Sequence, residues 1–147
     1  MKSLADRISR FEESQTLAMT RKSRELRAQG VDIINLSIGE PDFDTPLHIK
    51  NAAKEAIDNN FTHYSPVPGY ENLRKAISGK FKRDNGLNYG PGQIVVSTGA
   101  KQALMNVVLS LVNPGDEVLL PTPYWVSYIE MVKMAEGVPV MISAGID

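Results

Sequence analysis

Cysteine is absent from all 147 residues, which excludes disulfides and thiolate metal sites and fits a reducing compartment. Aromatic side chains are scarce at 7%, and the single tryptophan is Trp125. Neither sign of charge is in excess, because 16 Lys and Arg meet 17 Asp and Glu for a net charge of −1. That balance points away from nucleic acid and from an anionic membrane as partners. Long apolar runs are missing too, the longest being far short of the roughly 20 residues that span a bilayer. The opening "MKSLADRISRFEESQ" carries charges throughout and has no signal-peptide hydrophobic region, so a cytoplasmic location is expected. No repeat or low-complexity tract occurs.

What is present suits a globular chain about one domain long, 42% hydrophobic and 22% charged. Residues 1–45 read as an arm, with a helical pattern over 16–29 ending at Gly30 and a short strand, "VDIINLSIG", over 31–39. Thr45-Pro46 predicts a helix start, the hydroxyl as N-cap and proline at the first helical position. Ile49, Ala52, Ala53, Ala56 and Ile57 then make an amphipathic stripe. Leu73, Ala76, Ile77 and Phe81 mark a third helix, with Arg74, Lys75, Lys82 and Arg83 on an outer face expected to be solvated.

From residue 92 strands and helices alternate: strand 93–98, helix 100–112, turn 113–116, strand 117–123, helix 125–137 and strand 138–143. Short connections between such elements predict an α/β fold with parallel strands. The helix over 100–112 is apolar nearly all round, so it expects burial on most sides. A chain of this length can hardly supply that cover, and the expectation is an N-terminal portion of something larger.

"STGAKQ" at 97–102 poses an electrostatic question, because Lys101 stands in a first helical turn, where the dipole makes a cation unfavourable. The repulsion is a few tenths of a kcal/mol on a scale of roughly 0.3–1 kcal/mol, and a bound anion would reverse its sign. One reading is a bare strand-to-helix turn. The other is an anion cradle, in which small Gly99 and Ala100 let a ligand approach unshared N–H groups. No Walker A loop or G-x-G-x-x-G fingerprint occurs. Thr98–Lys101 resembles the S-x-x-K of penicillin-binding enzymes, but its S-D-N and K-T-G companions are absent. Beyond the next strand, "PTPYW" delivers Trp125 to the end of the sheet where α/β folds gather ligands. A tryptophan there can simply cap a core, or it can stack on a flat ring. Cradle and indole together describe a planar ring that carries a phosphate.

Four stretches, "NLSIGEPDFDTP" (35–46), "HYSPVPGYENLRKAI" (63–77), "STGAKQAL" (97–104) and "NPGDEVLLPTPYWVSY" (113–128), together resemble the start of a class I aminotransferase. The likeness is to the bacterial-type aspartate aminotransferases of the pyridoxal-phosphate, fold type I group, and it runs over essentially the whole chain. It implies an N-terminal arm and small-domain segment over 1–45, with the first βαβαβ of the cofactor-binding large domain over 46–147. It implies that Gly99, Ala100 and Lys101 hold the phosphate of pyridoxal phosphate and that Trp125 stacks on its ring. Gly39 would receive the substrate α-carboxylate. Tyr64 would reach across a homodimer interface to the partner's cofactor phosphate. Lys101 would also meet the distal carboxylate of aspartate or glutamate, aided by hydroxyls matched by Ser14 and Thr16. Relatives that accept prephenate carry a basic residue near position 12, where this chain has Glu12. The resemblance further implies a cis peptide at Thr122–Pro123.

Transamination also needs a Schiff-base lysine that moves the proton, an acid for the pyridine nitrogen and a forked arginine for the carboxylate. In the family these come from later segments, and none has a matching motif within 1–147. No catalytic residue is therefore assigned to this chain, and alone it is expected to be inactive. The competing readings are another fold type I enzyme, such as an aromatic aminotransferase or a C–S lyase, and a truncated non-catalytic binding module. His48, in a helical first turn, is expected to be solvated, and His63 has no partner at metal spacing, so no metal is assigned.

Overall fold

The computed structural model describes residues 4–5, 8 and 14–145. Position 12 lies outside them. The described chain forms two compact units, one of residues up to Glu40 together with Leu104 onward, the other Pro41–Ala103.

The first unit opens with α1, Gln15–Ala28. The helix stops as expected at Gly30, whose φ of +82° suits glycine. There the Gly30 N–H donates to the Arg27 carbonyl at 2.9 Å and the Val31 N–H to the Leu26 carbonyl at 3.1 Å. The strand expected over 31–39 does not form: the stretch joins no sheet among the described residues. A strand exists through its neighbour's N–H and C=O groups, and here the Ile33 carbonyl instead accepts from the Arg27 guanidinium at 3.2 Å. The Asn35 side chain then accepts from the Ser37 N–H at 3.1 Å, an Asx turn that ends the extended run.

This unit also holds the sheet. Strand β1, Glu117–Thr122, pairs in parallel with β2, Val138–Ser143, in a register that sets Glu117 opposite Val138 and Thr122 opposite Ser143. Helix α5, Ser127–Met134, packs on both strands. The core is Leu120, Met131, Val132 and Ala135. The helix is shorter than the expected 125–137, and the left-handed residue after it is Glu136, with φ +63°. Gly137 serves packing instead: a Cβ there would stand 2.7 Å from Val112 Cγ1 and 3.1 Å from Val132 Cγ1. The "NPGD" turn is closed by Asp116, whose carboxylate accepts from the Asn113 N–H at 2.7 Å. It is tied to the α5–β2 connection by Gly115 N–H to Glu136 carbonyl at 2.9 Å and Val138 N–H to Asp116 carbonyl at 2.8 Å.

In the second unit, α2 spans Leu47–Asp58. Pro46 is its cap residue rather than its first helical residue, and no side chain caps it. The Pro46 carbonyl accepts from Ile49 and Lys50, so the start lies one residue later than expected. Its apolar stripe is present but uncovered, with Ile49 and Ile57 both exposed. Helix α3, Glu71–Asn85, ends at left-handed Gly86, and carries Glu71 in its first turn and Lys82 and Arg83 in its last, each at the favourable pole of the dipole. The solvated basic face needs one correction. Arg74 is half-buried, and its guanidinium donates to the Gly69 carbonyl at 3.2 Å and the Pro91 carbonyl at 2.8 Å.

Residues 93–98 likewise form no strand. A 3₁₀ turn, Pro91–Gln93, leads into extended backbone at Ile94, which is buried. The Val96 N–H donates to the Pro68 carbonyl at 3.0 Å, a single bond where a ladder was expected. The next helix, α4, runs Gly99–Leu111 and carries its first residues in this unit and the rest in the other. None of its residues is buried, with Val107 and Leu111 both exposed, although its composition calls for cover on most sides.

Candidate functional site

The turn before α4 is built by one bond and one dihedral. Gly99 has φ +81°, in the left-handed region that glycine adopts without steric cost. Its N–H donates back to the Ser97 carbonyl at 2.9 Å. Gln102 adds a cap that the sequence reading missed, its side-chain oxygen accepting from the Thr98 N–H. A Thr followed four residues later by Gln, just ahead of an apolar helix, was the available sign of it. Gly99, Ala100 and Lys101 are all exposed. No atom lies within 4 Å of where a Gly99 Cβ would stand, so the backbone here is open to a ligand. Helix N-termini in general present N–H groups and partial positive charge to anions. Small residues and an open approach are what a phosphate group needs, and the turn fits one.

The route into this turn is held from behind. Gly69, with φ +94°, lies so close to Val96 that a Cβ would stand 2.7 Å from Val96 Cγ2. Together with the Val96–Pro68 bond and the Arg74 fork, this ties residues 66–70 to the segment that runs into Ser97. Tyr64, four residues before Pro68, is fully exposed. His48 and His63 are exposed as well.

Trp125 lies in the other unit, between β1 and α5, and is 44% exposed. The preceding Thr122–Pro123 peptide is cis, as the resemblance implied. The indole meets the Tyr128 ring in a T-shaped contact, with centroids 5.7 Å apart and planes at 84°. In the same unit Thr16 lines a groove of about 580 Å³ between α1 and residues 33–37, and at Gly39, which follows that segment, a Cβ would meet nothing within 4 Å. Ser14 is the α1 cap residue, and its side chain makes no capping bond. Thus Ser14, Thr16, Gly39 and Trp125 belong to one unit, and Tyr64, Gly99, Ala100 and Lys101 to the other.

The chain belongs to the class I and II aminotransferases: the family model "Aminotransferase class I and II" matches residues 31–145. The parallel α/β arrangement is the N-terminal part of the fold type I structure. The chain is 54% identical over 144 residues, 98% of its length, to an aspartate/prephenate aminotransferase from Nitrosomonas europaea, of which it covers 36%. It is similar, with a TM-score of 0.92 and 47% identity, to aspartate aminotransferase from Thermus thermophilus with maleate, covering 97% of this chain and 37% of that one. Aspartate aminotransferase from Rhizobium meliloti gives a TM-score of 0.92 at 44% identity. The chain therefore spans little more than a third of the length of these relatives.

Proposed function

We propose that this chain is the N-terminal portion of a pyridoxal-phosphate-dependent aminotransferase that moves an amino group from an acidic L-amino acid, aspartate, to a 2-oxo acid such as 2-oxoglutarate. The observation that carries the reading is the open, Gly99-led turn at the head of α4, in a chain 54% identical to an aspartate/prephenate aminotransferase. Aspartate is the substrate that the names of the three relatives described above share.

In this reading residues 1–45 supply the arm and a small-domain segment, and 46–147 the start of the large domain. The backbone around Gly99, Ala100 and Lys101 holds the phosphate, and Trp125 lies against the pyridine ring. The Gly39 backbone receives the substrate α-carboxylate, and Ser14 and Thr16 offer hydroxyls to the distal one. Lys101 is its counter-charge, which gives a reason for a cation in a first helical turn: the ligand is anionic. Fully exposed Tyr64 suits a side chain that completes the site of a second copy in a homodimer. When bound, pyridoxal phosphate supplies an electron sink for the bond broken at the substrate α-carbon. The lysine that moves the proton belongs to a later segment, so this chain by itself binds and orients without catalysing. The whole enzyme is read as a cytoplasmic protein that meets small amino acids and 2-oxo acids.

The test is Lys101→Ala in the full-length protein. Losing one charge-assisted contact should lower kcat/KM for aspartate relative to alanine by about ten- to a hundredfold. An unchanged ratio would remove Lys101 from substrate recognition.

A further inference from the structure

Trp125 stands in a connection, where an indole has several staggered positions open to it. Stacking on a coenzyme requires one of them. Tyr128 provides a reason for one to be chosen. Its N–H donates to the Trp125 carbonyl at 3.0 Å, so the two residues sit a single helical turn apart on the same side. Their rings cross at 84° with centroids 5.7 Å apart, the arrangement that the aromatic quadrupole favours.

Tyr128 is itself anchored. It is half-buried, and Met131 and Val132, three and four residues further along α5, are buried at 7% and 2% exposure. Those residues share its helix face, and α5 packs on β1 and β2 through it. The indole is thus referenced through Tyr128 to the sheet rather than left to its own loop.

We infer that Tyr128 is a positioning residue for the coenzyme: its ring holds the Trp125 indole in the orientation that stacks on pyridoxal phosphate. The inference rests on the stacking role proposed above for Trp125.

The full-length protein, stripped of coenzyme and titrated with pyridoxal phosphate, tests it through affinity and through the circular dichroism induced in the bound chromophore. Tyr128→Leu should weaken binding roughly two- to tenfold and diminish the induced signal. Tyr128→Phe, which keeps the ring, should retain both. On a Trp125→Leu background, Tyr128→Leu should add nothing, since the residue acts through the indole. Additive losses, or wild-type affinity and signal in Tyr128→Leu, would overturn the inference. Should Tyr128→Leu not fold, Tyr128→Met carries the same comparison. If Trp125→Leu alone changes neither readout, the stacking role itself fails; if it weakens binding while Tyr128→Leu does not, only the positioning role fails.

Discussion

The Lys75 ammonium lies 2.7 Å from the Glu71 carboxylate, one turn away on α3. That hydrogen bond, and then the charge behind it, hold Glu71 below the usual glutamate range against a small opposing effect of burial. A depressed carboxylate contributes stability above its unfolded pKa and loses it as pH falls through the folded one. Both side chains are about two-thirds exposed, so the pair is screened by salt and modest. Lys75→Met should return the Glu71 midpoint towards the ordinary range, as followed by carboxyl NMR shifts against pH; an unmoved midpoint would contradict the assignment. At this scale the sequence was readable where a residue's role is local. Gly30 ends a helix and Gly99 opens one, because each takes a dihedral that other residues resist. Arg74 was misread as a surface charge, since its partner at Pro91 is 17 positions away and no local pattern announces it.

Helices and strands fared differently as elements. All five α-helices among the described residues were anticipated to within a few residues, because a helix satisfies its backbone from its own next turn. Two of the four expected strands, at 31–39 and 93–98, have no ladder among the described residues, because a strand depends on a neighbour elsewhere in the chain. The segment at 93–98 keeps its place through Gly69 instead. Gly69→Ala combines a left-handed dihedral with a Cβ 2.7 Å from Val96, and should destabilise by about 1–3 kcal/mol. Gly79→Ala is the counterpart. That glycine stands inside α3 with open space around it, and alanine there should stabilise by about 0.5–1 kcal/mol. Thermal denaturation of the two variants should move in opposite directions; a silent Gly69→Ala would remove the packing constraint on this turn.

For the molecule as a whole, much of the apolar surface is uncovered. Ile34, Leu36, Phe43 and Val67 are each at least 87% exposed, and α4 buries none of its residues. Patches of this kind ordinarily meet another surface. The chain spans little more than a third of the length of these relatives. Residues 1–147 prepared alone should therefore bind a hydrophobic dye and self-associate. They should also give no covalent-coenzyme absorption band on addition of pyridoxal phosphate. A dye-silent monomer in size-exclusion chromatography would contradict the first expectation, and a new band the second.

Sequence alone determined the described helices and the stop at Gly30, through periodicity and dihedral preference within a short stretch, and the family, through its motifs; the residues proposed to meet the coenzyme come from the resemblance those motifs carry. Only the tertiary structure decided which extended segments become strands, that Arg74 and Gly69 hold the segment that runs into the Gly99 turn, and that Tyr128 stands against Trp125. Those outcomes depend on atoms distant in the chain or on ring geometry across a helical turn, and they exist only once the backbone has folded.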